Sequence, residues 1–152
     1  MKLPKPFDEF VKEGIVRKRS PDSSRSGSLQ KESEKSYNFL KDIIKNIGIS
    51  DENANNIIKN TYDIIMELIR ADMLIRGFNS SGQGAHEAEV AYLKKIGFSD
   101  NDIQFANQLR YFRNGIVYYG KSFDKEYADK VISFLEKIRK KLKVKWNHLS
   151  ND

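Results

Sequence analysis

Residues 110–120, with the sequence RYFRNGIVYYG, bring together side chains that can bind an anion. Arg110 and Arg113 are one helical turn apart and therefore lie on the same side of a helix. Arg113 falls beside the apolar stripe of that helix, so its guanidinium is expected to be part-buried and to need a carboxylate or a phosphate. The segment predicts either a phosphate site or an ion pair that fixes the packing of two helices.

The segment YDIIMELIRAD supplies carboxylates for either role. Asp63, Glu67 and Arg70 are spaced by four and three positions, so all three share one helix face. If that face meets the helix of Arg113, then Asp63 or Glu67 orients the guanidinium. The purely structural alternative is a salt bridge that sets the register of the two helices.

Gly115 lies inside the same helix, where glycine costs about 1 kcal/mol relative to alanine. Glycine is kept at such a position when a ligand or another backbone approaches closely. A crossing helix explains it equally well, whether it comes from this chain or from a second copy.

Composition and charge restrict the class of protein. The chain has 152 residues, no cysteine and two histidines, so disulfides, thiolate chemistry and a His-rich metal site are not expected. No apolar run is long enough for a membrane span or a signal peptide, which predicts a soluble cytoplasmic protein. The net charge of +6 is concentrated at residues 1–36 (+3) and 125–145 (+5). Such basic ends suit a polyanion such as RNA, or serve only as a solvated surface.

Glycines divide the sequence into helical segments. Both NIGISDEN and KIGFSDND place a helix-ending Gly, an apolar residue and a capping Ser in succession. With further stops at Gly77 and Gly120, helices are predicted near 29–47, 51–76, 85–96, 100–119 and 124–142. A short helical turn is expected within residues 4–13, and residues 17–28, RKRSPDSSRSGS, are expected to be a loop or flexible arm. The predicted units are a basic arm over 1–28, a helical bundle over 29–143 and a tail over 144–152.

The periodicity predicts an all-α antiparallel bundle of four to five helices, since no convincing strand alternation is present. Three helices carry apolar stripes of the kind that pack against a neighbour. Their members are Ile57, Thr61, Ile64, Ile65, Leu68 and Ile69 in the second helix; Phe105, Leu109, Phe112, Ile116 and Tyr119 in the fourth; and Tyr127, Val131, Phe134, Leu135 and Ile138 in the last.

The segment LRYFRNGIVYYG resembles the signature helix of HEPN (higher eukaryotes and prokaryotes nucleotide-binding) domains, whose motif is Arg, often Asn, and then His after a short gap. Arg113 and Asn114 match the first two positions. Residues 30–142 look like archaeal stand-alone members, with the signature in the fourth of five helices. The resemblance implies an all-α homodimer whose signature residues line a cleft between the subunits. It also implies a metal-independent endoribonuclease of toxin or defence type, without a cofactor, and a nucleotidyltransferase-type antitoxin as partner.

The resemblance assigns roles to particular residues. Arg113 would hold the scissile phosphate, with Asn114 beside it and an earlier carboxylate, Glu67 or Asp63, orienting the guanidinium. The histidine of the motif falls on Tyr118, and a phenol holds its proton at neutral pH, so it is a poor base. A cleft that binds a nucleotide or RNA is therefore the first expectation, and an active nuclease is the second. Tyr118 would then bind phosphate or stack on a base.

Three other residues extend this candidate site. Arg110 is expected to contact phosphate, and Tyr111, which shares a side of the helix with Tyr118, is expected to stack on bases. His86 lies in GQGAHEAEV, where Val90 breaks the zinc-protease pattern. It is interpreted as a capping or surface residue, or alternatively as a histidine that enters the cleft in place of the one missing at position 118.

Three hypotheses follow from the sequence. The first is a phosphate-binding, HEPN-like homodimer, and the second is an active ribonuclease that uses the same residues. The third is a protein-interaction module in which Arg113 only ties helices together. No membrane partner is expected.

Overall fold

The computed structural model describes residues 2–150, and the side chains of residues 2–147. Within these bounds the chain forms six helices and one two-stranded sheet. The helices are α1 (Phe7–Lys12), α2 (Ser23–Asn46), α3 (Ala54–Ile75), α4 (Ala85–Tyr92), α5 (Asp100–Tyr119) and α6 (Lys125–Ser150). Strands β1 (Val16–Lys18) and β2 (Phe78–Ser80) pair antiparallel, with Val16 opposite Ser80. The predicted all-α bundle is confirmed.

Helix α3 lies at the centre of the bundle and contacts α2, α4, α5 and α6. A helix that neighbours surround should be apolar on more than one side, and α3 is. Its predicted stripe is confirmed, because every member is buried: Ile57, Thr61, Ile64, Ile65, Leu68 and Ile69. Helix α6 adds its own stripe to the same core. Within residues 2–150, no helix has the length and apolar character needed to cross a bilayer.

The helix stop at Gly97 works as the sequence predicts. Gly97 has φ +88°, and the following Phe98 is buried and donates its backbone N–H to the Leu93 carbonyl at 3.0 Å. The Ser99 hydroxyl then accepts the N–H of Asp102 at 3.2 Å, which caps α5. At the corresponding point before α3, Ser50 accepts the N–H of Asn53 at 3.3 Å, and the helix begins one turn later than predicted.

The prediction of a loop over residues 17–28 is wrong. Residues 17 and 18 belong to β1, and α2 begins at Ser23 rather than at Leu29. Asp22 caps α2 by accepting the N–H of Arg25 at 2.9 Å, and the buried Ser26 hydroxyl donates to the Ala71 carbonyl at 2.7 Å. A serine-rich start is therefore stabilised by a cap and by a contact with α3 that the local composition does not show.

The C-terminal segment also differs from the prediction. Helix α6 continues to Ser150, so the segment predicted as a tail from residue 144 is helical over its described part. The indole N–H of Trp146 donates to the fully buried carboxylate of Asp72 at 3.0 Å, and the Tyr92 hydroxyl donates to the same carboxylate at 2.7 Å. This network joins α3, α4 and α6. The side chain of His148 lies outside the described residues.

Candidate anion site on helix α5

The apolar side chains that α5 buries in the core fix the rotation of this helix about its own axis. Leu109 and Ile116 are buried, and the Phe112 ring packs against Phe123 and Tyr127 with centroids 4.7 and 5.2 Å apart. These contacts leave Arg113 at the edge that meets α3. The stripe does not extend to Tyr119, which is 79% exposed, so that part of the prediction is wrong.

Gly115 is approached by a side chain of its own helix end. A Cβ added at Gly115 would lie 3.2 Å from Cδ of Lys121, which follows the left-handed Gly120. The backbone N–H of Lys121 also donates to the Gly115 carbonyl at 3.2 Å. Within the described chain, the neighbour at this glycine is therefore a lysine stem rather than a crossing helix.

Arg113 leans from α5 onto α3. Its Cζ lies 5.5 Å from the ring centroid of Tyr62, and its Nη2 lies 3.7 Å from Oδ1 of Asp63. The side chain is 24% exposed, yet its Nε is enclosed and has no hydrogen-bond partner. The guanidinium is thus held by a ring face and a distant, half-exposed carboxylate, and some of its donors are unused.

The two carboxylates proposed as orienting groups separate in the structure. Asp63 pairs loosely with Arg113 as described, whereas Glu67 forms no ion pair among the described residues. Glu67 lines a cavity of about 360 Å³ between α2 and α3, and its Oε2 is enclosed without a partner. Burial raises the pKa of the Glu67 carboxyl, and the nearby charges of Glu32 and Asp63 raise it further.

Arg110 lies one turn before Arg113 and has no carboxylate partner among the described residues. Its Nε and Nη2 donate to Oδ1 of Asn107 at 3.2 and 3.1 Å, and its Cζ lies 4.7 Å from the Tyr111 ring centroid. Asn107 is buried and donates in turn to the Lys2 carbonyl at 3.0 Å. A neutral amide therefore positions this guanidinium without cancelling its charge.

Tyr111, Asn114 and Tyr118 line an open groove of about 870 Å³ on the outer side of α5. Tyr111 is 54% and Tyr118 is 70% exposed, and the Arg110 guanidinium lies over the Tyr111 ring. The groove also contains the stem of Lys121. The structure thus places the predicted residues on two adjacent sides of one helix: the arginines toward α3, and the tyrosines and Asn114 toward the groove.

His86 lies on the arginine side. Helix α4 starts after Gly84, which has φ +91° and would meet the Ile15 side chain if it carried a Cβ. This start places Nδ1 of His86 3.0 Å from the hydroxyl of the buried Tyr62. The two rings are 29° from parallel, and Tyr62 thus contacts both His86 and Arg113.

The imidazole lies in a positive environment. Partial burial lowers the pKa of His86, and the guanidinium charges of Arg70, Arg113 and Arg110 lower it further, against an opposing effect of Asp63. Arg70 is itself paired with the buried Glu89, whose carboxylate accepts from Nε at 3.0 Å. Burial raises the pKa of Glu89, and Arg70 opposes that shift.

Sequence reasoning found Arg113, Arg110 and Asp63 but not the contact between Tyr62 and His86. Spacing within one helix relates the first three residues to their neighbours, whereas 24 positions separate Tyr62 from His86. The sequence does show an aromatic residue on the apolar side of α3 and, later, a histidine at a helix start that follows a glycine. Neither feature indicates that the two side chains are in contact.

No protein-family model matches this sequence, and comparison with curated proteins and with solved structures likewise found no match. The resemblance of residues 30–142 to the HEPN domain therefore stays a prediction from the sequence.

Proposed function

We propose that this protein binds the phosphate of a nucleotide or of RNA through Arg113 and Arg110. The observation that supports the proposal best is the state of Arg113, a part-buried guanidinium with unused donors and only a 3.7 Å contact to a carboxylate. A structural ion pair would satisfy those donors, because an unpaired buried cation is costly. A phosphate can accept from the terminal nitrogens of the guanidinium, rather than from the enclosed Nε, and it matches the planar fork of arginine.

The neighbouring groove gives a place for the rest of the ligand. Tyr111 and Tyr118 are exposed, and base stacking on aromatic side chains is worth about 1–3 kcal/mol per base. In the proposed arrangement a second copy packs against the outer side of α5, so that the site lies in a cleft of a homodimer. Tyr119, which also lines the groove and is 79% exposed, supports this part of the proposal.

RNA binding tests the proposal directly. Fluorescence anisotropy with a labelled RNA oligonucleotide should show affinity that falls with increasing salt, as counterion release requires. Arg113→Ala should weaken binding about tenfold or more, as expected when a charged hydrogen-bonding group is removed. Arg17→Ala is the matched control, because it removes the same charge from the exposed strand β1. Equal losses in the two variants would contradict a specific site.

A metal-independent endoribonuclease is the second candidate function, and His86 is the observation that favours it. An imidazole whose pKa is lowered is uncharged at neutral pH and can therefore accept a proton from the attacking 2′-hydroxyl. Incubation with labelled RNA in EDTA should then give cleavage that Arg113→Ala abolishes.

The interaction-module hypothesis makes the opposite prediction. If Arg113→Ala and Tyr118→Phe leave nucleotide and RNA binding unchanged, but unfold the protein or dissociate a dimer, then Arg113 serves packing alone. Thermal melting and light scattering on the same variants decide this.

A further inference from the structure

The imidazole of His86 is oriented by a buried side chain while the residue itself is exposed. Tyr62 is 2% exposed and cannot move freely, and its hydroxyl is 3.0 Å from Nδ1. The second ring nitrogen, Nε2, is therefore the one left for a ligand. His86 and Arg113 thus share Tyr62 as a contact residue, because the Arg113 Cζ lies 5.5 Å from the same ring.

The cations around this imidazole outnumber the carboxylates that balance them. Arg70 is neutralised by Glu89 at 3.0 Å, and Arg113 is partly neutralised by Asp63 at 3.7 Å. Arg110 is bound only to a neutral amide. One guanidinium charge is therefore unbalanced, and protonation of the imidazole adds a second. Two positive charges match the dianion of a phosphate monoester, whereas a phosphodiester carries a single negative charge.

We propose that the site takes a terminal phosphate monoester, as on a mononucleotide or an RNA end, and that His86 donates to it as a third cation beside Arg110 and Arg113. This inference rests on the proposed function and names its ligand class. Tyr62 is a positioning residue, since it contacts the imidazole and the Arg113 guanidinium rather than the ligand. The aromatic side chains of the groove then lie toward the nucleoside.

The proposal has a characteristic pH dependence. In the free protein the pKa of His86 is lowered, so the imidazole is largely neutral at pH 7. A bound dianion favours the charged imidazole, so binding takes up a proton and strengthens as pH falls from 8 toward 6. Below about pH 6 the monoester itself becomes a monoanion, and binding weakens again. The affinity should therefore be greatest near pH 6.

The experiment compares 5′-AMP with 3′,5′-cyclic AMP, which has the same base and sugar but a diester. Calorimetric titrations at pH 6 should show that 5′-AMP binds about tenfold tighter than the cyclic diester. At pH 8 this preference for 5′-AMP should be smaller. His86→Gln should remove the preference, and Lys18→Gln is the control, because it removes an exposed cation of β1. Inorganic phosphate as a third ligand shows whether the nucleoside contributes.

Histidine NMR gives an independent readout. Saturation with 5′-AMP should raise the pKa of His86. If 5′-AMP and the cyclic diester bind equally, or if His86→Gln keeps the preference, the inference is overturned. The proposed function still stands in that case, provided that Arg113→Ala abolishes binding. If the unsubstituted protein binds neither nucleotide nor RNA, both the inference and the proposed function are overturned.

Discussion

At the scale of single residues, Arg113 and Glu67 each carry an enclosed polar atom without a hydrogen-bond partner. Their charges are opposite, yet they do not pair, because Arg113 leans onto Tyr62 while Glu67 lines the cavity between α2 and α3. The guanidinium of Arg113 has only the 3.7 Å contact to Asp63, and the proposed function assigns it a ligand. The unpaired carboxylate is a cost to the fold, because burial and two neighbouring carboxylates act against its charge.

The cost at Glu67 predicts a stabilising substitution. Because the pKa of Glu67 is raised in the folded state, the native protein binds more protons than the unfolded chain between the ordinary and the raised pKa. The free energy of unfolding therefore falls as pH rises through that window. Glu67→Gln removes the charge, so it should raise the melting temperature at pH 7 and have little effect near pH 4.

Glu52→Gln is the control, since it removes an exposed carboxylate. Calorimetric melting of both variants across pH 4–8 measures the effect. A Glu67→Gln protein that is less stable than the parent at pH 7 would contradict this prediction and would show that the charged carboxylate stabilises the fold.

Residue-scale sequence reasoning succeeds for contacts within one or two helices. The position of Arg113 beside an apolar stripe predicts its partial burial, and the spacing of Asp63 and Glu67 limits the carboxylates it can meet. The spacing does not show whether Asp63 or Glu67 meets Arg113, because both carboxylates lie on the same face of α3. Only the way in which α3 and α5 cross determines which one is closer. Sequence reasoning also leaves the role of His86 open, because that role depends on where α4 begins.

At the scale of elements, Gly115 and Gly77 differ in whether a larger residue can replace the glycine. Gly115 has an ordinary helical backbone, and an added Cβ would meet only the flexible stem of Lys121. Gly77 has φ +82°, and an added Cβ would overlap the carbonyl oxygen of Arg19. The first glycine can be replaced in the isolated chain, whereas the second fixes the turn that leads from α3 into β2.

Alanine substitutions should therefore have opposite signs. Gly115→Ala should raise the free energy of unfolding by up to about 1 kcal/mol, because helix propensity improves and Lys121 can shift. Gly77→Ala should lower it by more than about 1 kcal/mol, because both the conformation and the space are unfavourable. Denaturant unfolding gives both values, and loss of stability in Gly115→Ala would indicate a tighter contact than a lysine stem.

Helix ends are predictable where the deciding contacts are local. Gly97, Phe98 and Ser99 act within one turn of each other, and α5 begins as predicted. The start of α2 is not predictable in this way, because the serine-rich first turn depends on Ser26 reaching the Ala71 carbonyl on α3. Tyr119 falls on the predicted stripe but lies beyond the last core contact of α5.

At the scale of the whole molecule, much of the positive charge of α6 is used within the fold. Lys137 pairs with Asp102 at 2.7 Å, and Arg139 pairs with Glu34 at 2.9 Å. A basic helix read from the sequence therefore overstates the charge that is free for a polyanion. The arginines of α5 carry less charge, but Arg110 is bound to a neutral amide and Arg113 has a carboxylate only at 3.7 Å, and these two are the groups to which the proposed function assigns the anion.

The outer side of α5 is the surface through which two copies of the chain are proposed to associate. Tyr111, Tyr118 and Tyr119 are exposed and line the same groove, and exposed clusters of large side chains are typical of contact surfaces. In the proposed homodimer this side is buried, so Tyr118→Asp should weaken self-association about a hundredfold, because a charge is then desolvated at the interface. Sedimentation equilibrium measures the dissociation constant directly.

Phe39→Asp is the matched control, because Phe39 is 64% exposed on α2, away from this surface. The exposure of both side chains means that neither variant should lose helical content, which circular dichroism verifies. If both variants dissociate alike, or if the parent sediments as a monomer at all concentrations, the α5 surface is not the dimer contact. The phosphate site would then have to act within one chain. Tyr118→Asp should still weaken 5′-AMP binding in that case, because Tyr118 lines the groove proposed for the base.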